Sequence, residues 1–255
     1  MKGSRIHEQA DEGALSVMLA EPSPAYTVAD QERMMRANNY FAWQGRLVIR
    51  ELGRRVIEVG AGIGNFTRLL LDREAVFAMD VEPACVERLR QRFAANSNVQ
   101  IMVGDAVSHA LRDLSRFKPD SCVCLNVLEH VANDHTALQN MRAALQPGGV
   151  IVLFVPAFPA LYGPIDRNLG HCRRYTRRTL SQTAGAAGLI VKKMHYVNTI
   201  GFLGWWINAH LLRLHEQSPA QIEFFDRYIV PPVSHLESVV RPPFGQSLFA
   251  VLQNP

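Results

Sequence analysis

Between Arg55 and Val155 the chain alternates two kinds of pattern. Short apolar runs, rich in β-branched residues, recur roughly every 25 residues at Arg55–Val59, Ala75–Met79, Val99–Val103, Ser121–Leu125 and Val150–Val155. Runs of this kind suit strands buried on both faces. Between them lie stretches with apolar residues at helical spacing, over Phe66–Leu71, Pro83–Ala95, Val107–Leu114 and Asp134–Leu145. Pro83 stands in a first turn, where a helix tolerates it, and Pro147-Gly-Gly closes the last helix. Such alternation predicts βαβ units and a doubly wound α/β fold with a parallel sheet. Two more strands are expected at Leu189–Val197 and Ser247–Leu252, and one long amphipathic helix from Asp30 to about Leu52. The resulting division is an N-terminal arm and helix (1–54), an α/β core (55–196), an insertion (197–245) and a closing strand (246–255). Residues 1 to about 28 are polar, carry Pro22-Ser-Pro24 and read as a loose arm.

Composition narrows the setting without naming a reaction. With 48% hydrophobic and 20% charged residues over 255 positions, this is ordinary globular composition. A net charge of +4 is too small to argue for nucleic acid. Cys85, Cys122, Cys124 and Cys172 have no disulfide spacing, and no apolar leader or run of spanning length occurs, so a cytoplasmic protein without a membrane span is expected.

The chemistry begins at Val56-Ile-Glu58-Val-Gly60-Ala61-Gly62-Ile-Gly64-Asn65. An apolar strand running into a glycine turn brings backbone N–H groups close to a nucleotide-like ligand. Asn65 stands where the dinucleotide fingerprint wants Gly or Ala, and Glu58 fits a buried strand end poorly unless it binds something. A nicotinamide or flavin turn, or a structural glycine bend, remains open on this segment alone. Ligands of such sheets lie beyond the carboxyl ends of the strands. After the second strand comes Asp80-Val81, after the third Gly104-Asp105-Ala106, after the fourth Asn126-Val127-Leu-Glu129-His130, and before the fifth Leu145-Gln-Pro-Gly-Gly.

These landmarks, in this order, resemble the class I S-adenosylmethionine-dependent methyltransferases, whose fold is Rossmann-like and seven-stranded. The resemblance implies S-adenosyl-L-methionine as cofactor, with S-adenosyl-L-homocysteine as product. Glu58 and the turn Gly60, Ala61, Gly62 and Asn65 would hold the methionine end. Asp80 would take the ribose, Val81 and Ala106 would sandwich the adenine, and Asp105 would meet its amino group. Asn126 and Val127 would border both cofactor and substrate, and Tyr40 would close over the cofactor. Asp80 and Asp105 also read as helix caps.

A second segment, Tyr162-Gly-Pro-Ile-Asp166-Arg-Asn-Leu-Gly-His171-Cys-Arg173-Arg174-Tyr175-Thr176, resembles the D-x-x-x-G-H-x-R-R-Y segment of a bacterial branch of that superfamily. His171 and Tyr175, with His130 behind them, are the candidates for base and substrate orientation, since imidazole is the natural proton acceptor near neutral pH. Glu129, Tyr162, Asp166, Arg174, Trp205 and Trp206 are candidates for the substrate wall. A structural pairing of Arg173 or Arg174 with Asp166 is the rival account of the arginines. Thr176 reads as the N-cap of a further helix. Glu129-His130 is an adjacent pair with no other ligand at metal spacing, so no metal site is expected.

Most of the aromatic residues lie after residue 150. They suit a lid over an apolar acceptor, the lid's own core, a dimer contact, or, at Gly201–Ile207, a lipid surface. The expected partner is a small molecule, an aromatic or amine-bearing metabolite of secondary metabolism methylated on O, N or C, with a homodimer possible and nucleic acid disfavoured. The alternatives are a lipid-linked, quinone or nucleic-acid acceptor, argued from Arg173, Arg174, Arg177 and Arg178, and a nicotinamide enzyme.

Overall fold

The computed structural model describes residues 28–255; the arm expected before Val28 lies outside the described residues. The long N-terminal helix is instead two, α1 (Val28–Met34) and α2 (Asn38–Val48), the second running into a 3-10 turn at Ile49–Glu51. Apolar residues continue at helical spacing through Met35 and Ala37, which is why the pattern hides the break.

Strands β1 (Arg55–Val59), β2 (Ala75–Asp80), β3 (Val99–Val103), β4 (Ser121–Leu125) and β5 (Val150–Pro156) are parallel and stand within a residue of their expected bounds. The helices between them are shorter than expected. Phe66–Leu71 holds only a 3-10 turn at Thr67–Leu69, followed by α3 (Pro83–Arg92), α4 (His109–Asp113) and α5 (Asp134–Ala144). Beyond β5 come α6 (Pro164–Asn168), α7 (Arg177–Ala186), capped by Thr176 as expected, and β6 (Ile190–Val197). The insertion is helical: α8 (Thr199–Trp206), α9 (Pro219–Phe224) and α10 (Val230–Val239), with wider π-turns at Ile207–Leu211 and Phe225–Ile229. β7 (Ser247–Gln253) then slots antiparallel between β5 and β6.

Among the described residues the strands form one sheet in the order β3-β2-β1-β4-β5-β7-β6. The order reverses between β1 and β4, and that switch point opens a crevice at the strands' carboxyl ends. Successive β1 residues serve opposite cores. Ile57 and Val59 pack with Leu138, Met141 and Leu180, while Val56 packs with Trp43, Leu70 and Leu89 on the other face. Cys122 and Cys124 are buried on one strand face, as their spacing implies. No helix among the described residues is long and apolar enough to cross a membrane.

Candidate active site

The glycine turn after β1 is bare because it has no room for side chains. Gly60, Gly62 and Gly64 all have positive φ, at 74°, 57° and 85°, where non-glycine residues are strained. A Cβ on Gly60 would run into Val127, and one on Gly62 into the Gln31 amide. Gln31 is a partner that its sequence neighbourhood does not announce. Its side-chain oxygen accepts the Ile63 N–H at 2.8 Å, its carbonyl accepts the Asn65 amide at 2.9 Å, and so α1 braces the turn. Asn65 thus clamps the turn as well as lining the cavity beside it.

Glu58 is buried beneath this turn and faces the cavity. Burial pushes its carboxyl up from 4.5 to about 8, against a hydrogen bond from Thr67 (2.7 Å) that acts in the other direction. A buried acid held neutral in this way is suited to meeting a cationic group, which would restore its charge. At the end of β2, Asp80 accepts the Gly62 N–H at 2.7 Å through one oxygen and the Glu82 N–H at 2.9 Å through the other. Each carboxylate oxygen has a further lone pair for a ligand hydroxyl. The N-cap of α3 is Glu82, so Asp80 is not occupied in that role. Next to it Val81 is 64% exposed at the cavity edge, and the buried Ala106 lines the same cavity. Asp105 is exposed at the same edge and accepts the Val107 N–H at 2.9 Å, while Ser108 precedes α4 as its N-cap.

From this edge a cavity of about 1220 Å3 runs to the segment after β5. Its far wall holds Glu129, His130, His171, Arg174 and Trp205, with Ile165 and Leu169 from the same loop. Asp166 lies behind that wall, fully buried. It accepts from His171 Nδ1 (2.8 Å), from Arg174 Nε (2.7 Å) and from Trp205 Nε1 (3.3 Å). Burial alone would raise its carboxyl; the bond to His171 and the Arg174 charge outweigh this and hold it low. Its charge fixes the His171 ring with Nε2 toward Glu129 Oε1, 4.0 Å away. His130 meets His171 edge to face, with centroids 4.7 Å apart. Burial and the His171 charge push His130 down to about 4, leaving it neutral.

Several expected residues lie elsewhere. Tyr175 is buried off the cavity wall, and its hydroxyl is engaged by Asp134 (2.8 Å) and the Leu128 carbonyl (3.2 Å). Burial, reinforced by Asp134, drives that phenol far above its ordinary value, which removes Tyr175 from the candidates for base. Tyr162 donates to the His171 carbonyl at 2.7 Å and fastens the loop, while Trp206 is 44% exposed on the outer side of α8. Neither borders the cavity, whereas Trp205 does. The arginines serve structural pairings: Arg174 with Asp166, Arg173 with Asp134 at 2.8 Å, and Arg177 over the Tyr196 ring. Phe158, Tyr196, Phe202 and Phe244 pack on one another, so part of the aromatic excess is the insertion's own core. The expectation of no metal-ligand spacing fails, because the loop after β5 brings His171 to the Glu129-His130 pair. One ligand atom from each of the three lies within 4.8 Å of the others.

The cap that holds α2 against the cavity is not legible in local pattern. Ala37 gives α2 no side-chain cap; Asp226, from the insertion, accepts the N–H groups of Tyr40 (2.8 Å) and Asn39 (3.2 Å) instead. Tyr40 is thereby held with its ring at the cavity, beside Phe225 and Ile222.

Residues 57–151 match the family model described as a methyltransferase domain. Over that stretch the chain is similar to a methyltransferase domain, and the similarity supports an S-adenosylmethionine-dependent enzyme. Over 53 residues it is 47% identical to a probable ribosomal RNA small subunit methyltransferase A of Methanosarcina mazei, a match covering 20% of each chain. Over 120 residues it is 30% identical to a ubiquinone biosynthesis O-methyltransferase of Shewanella pealeana, covering 46% of each. The chain therefore spans less than half the length of these curated relatives. The solved structure of a SAM dependent methyltransferase from Archaeoglobus fulgidus aligns with a TM-score of 0.57 at 17% identity, covering 88% of this chain and 97% of that one. That likeness establishes the class I methyltransferase fold. The glycine turn at Gly60–Gly64 and the acids at 80 and 105, with Val81 and Ala106 on the same cavity, are polar groups and apolar surface of the kind a nucleoside-bearing cofactor requires.

Proposed function

We propose that this chain methylates an O, N or C nucleophile of a small, aromatic or amine-bearing metabolite of secondary metabolism, in the cytoplasm, where its four free thiols suit a reducing medium. One observation carries the reading: a single cavity joins the glycine turn, Asp80 and Asp105 to the wall of His171, His130 and Trp205. At about 1220 Å3 it exceeds the ~300–1,000 Å3 of an ordinary ligand site, in keeping with room for cofactor and acceptor together.

When bound, the cofactor supplies a methyl group already activated on a sulfonium. What remains for the protein is proximity, orientation and the acceptor's proton. Asp80 holds the ribose, Asp105 the adenine amino group, Val81 and Ala106 the ring faces, and Glu58 the methionine ammonium. Asn126 and Val127 border both ligands, and Tyr40 covers them. Trp205, Ile165 and Leu169 offer an apolar seat to an acceptor, and His171, oriented by Asp166, deals with its proton.

A second reading, an amphipathic lipid-linked or quinone acceptor, is favoured by Leu203, Trp206, Ile207 and Leu211, which stand exposed beside the cavity's far wall. A phosphate-bearing acceptor such as RNA is disfavoured by the internal pairing of Arg173, Arg174 and Arg177.

Calorimetric titration with S-adenosylmethionine and separately with NADH, followed by a methyl-transfer screen of phenols and aromatic amines, tests the proposal. Micromolar binding of the first ligand alone and turnover of a water-soluble acceptor are expected. Turnover seen only with RNA, falling steeply between about 50 and 200 mM salt, would replace the reading.

A further inference from the structure

Glu129, His130 and His171 present an arrangement that acid-base chemistry does not account for. Glu129 is 1% exposed, yet its Oε2 has no hydrogen-bond partner among the described residues. A bare carboxylate oxygen in a buried wall is costly, and native structures rarely leave one without a ligand, ion or water to meet it. The two neighbours of Glu129 are imidazoles, and the Nδ1 of His171 is already engaged by Asp166 at 2.8 Å, which leaves its Nε2 turned toward Glu129. A carboxylate behind the imidazole, as Asp166 is behind His171, is the usual outer shell of a metal-ligating histidine, fixing tautomer and ring orientation.

We propose that Glu129, His130 and His171 form a binding site for a divalent transition-metal ion, whose remaining coordination positions face the acceptor end of the cavity. Two imidazoles and one carboxylate are a borderline donor set, suited to zinc, cobalt(II) or iron(II) rather than to magnesium or calcium. Three protein ligands leave a position open to an acceptor, as catalytic rather than structural sites do. Asp166 is balanced by Arg174, so the charge left for the ion to meet is that of Glu129. Ligand atoms about 2.1 Å from one ion sit roughly 3–3.5 Å apart. Here they lie within 4.8 Å, so loading draws them together by little more than 1 Å, within the reach of side-chain rotation.

The acceptor class follows from the chemistry. An ion here would bind and acidify a hydroxyl, phenol or carboxyl oxygen, its proton leaving to solvent, and His171 would then act as a ligand rather than as the base. This consequence rests on the methyl-transfer reading; the metal site itself does not.

The test uses the full chain, stripped with chelator and titrated with Co2+ and with Zn2+ in the absence of cofactor. One ion per chain at micromolar affinity or better is expected, with visible ligand-field bands for Co2+ that Zn2+ abolishes. His130→Gln, His171→Gln and Glu129→Gln should each weaken binding at least tenfold while circular dichroism stays unchanged. Should a variant fail to fold, the wild type still decides: Zn2+ must shield His130 and His171 from carbethoxylation by diethyl pyrocarbonate, read by peptide mass spectrometry. Absence of saturable binding, affinity that survives in folded variants, or unshielded histidines overturns the site. Failure of the same preparation to bind S-adenosylmethionine would overturn the methyl-transfer reading and leave the metal result standing.

Discussion

Glu58 makes the ligand-free protein lose stability as pH rises from mildly acidic to about 8, in a way that can be measured. In the unfolded chain its carboxyl titrates near 4.5, and in the fold burial moves it to about 8. Between those values the folded state keeps a proton that the unfolded state has lost. The stabilisation is whole below 4.5 and gone by about 8, and Glu129, raised to about 7, adds to the same slope. Glu58→Gln should therefore flatten the fall of the urea midpoint across that window; an unchanged slope would remove Glu58 as its source. The substitution should also cancel the release of up to about one proton when S-adenosylmethionine binds at pH 7, seen as a dependence of binding heat on buffer. Tyr175 allows the opposite kind of test. Tyr175→Phe deletes a hydroxyl bound to Asp134 and Leu128, so stability should drop by about 1–2 kcal/mol while kcat on any acceptor stays put. A loss of turnover in a protein still folded at the assay temperature would return Tyr175 to the chemistry.

At the scale of elements, α2 depends on a cap that is not its own. Asp226→Ala leaves the N–H groups of Asn39 and Tyr40 without their acceptor, a loss worth about 0.5–2 kcal/mol for a helix N-cap. Hydrogen exchange should quicken over residues 38–48 and leave β1, β4 and β5 unaffected, with weaker cofactor binding following from the displaced Tyr40. Equal protection in mutant and wild type would show α2 held by packing alone. This dependence also explains what the sequence could and could not disclose. The strands, the glycine turn and the Asp80 and Asp105 positions are local: a few adjacent residues determine each, and all appear in the expected order. The break between α1 and α2 is not local, because its residues carry an unbroken apolar rhythm and the cap comes from 187 residues away. Gln31 under the turn and His171 beside Glu129 share that character. Each was a single polar residue with nothing nearby to mark its partner.

Across the whole molecule, several of the cations are tied to carboxylates of the same chain, while a net charge of +4 remains in excess. Arg174 is buried on Asp166, Arg173 lies on Asp134, Arg55 on Glu74 and Arg36 on Glu223. Arg173 and Arg174 of the basic cluster after β5 are consequently braces for a loop, which a count of charges along the chain had no means of distinguishing from a phosphate clamp. The insertion divides its apolar residues between an inner core, a cavity wall at Trp205 and Phe225, and an outer face at Leu203, Trp206 and Tyr228. Only the last is free to meet an acceptor's own hydrophobic carrier.

The Asp226 cap also ties the site to the order in which the chain is made. Residues 57–151 emerge from the ribosome early and carry the turn and acids that line the cavity, but the carboxylate that seats Tyr40 at its edge is synthesised 186 positions after the tyrosine. Until it arrives, the first turn of α2 lacks the acceptor for its N–H groups, and that edge of the cavity lacks its fixed tyrosine.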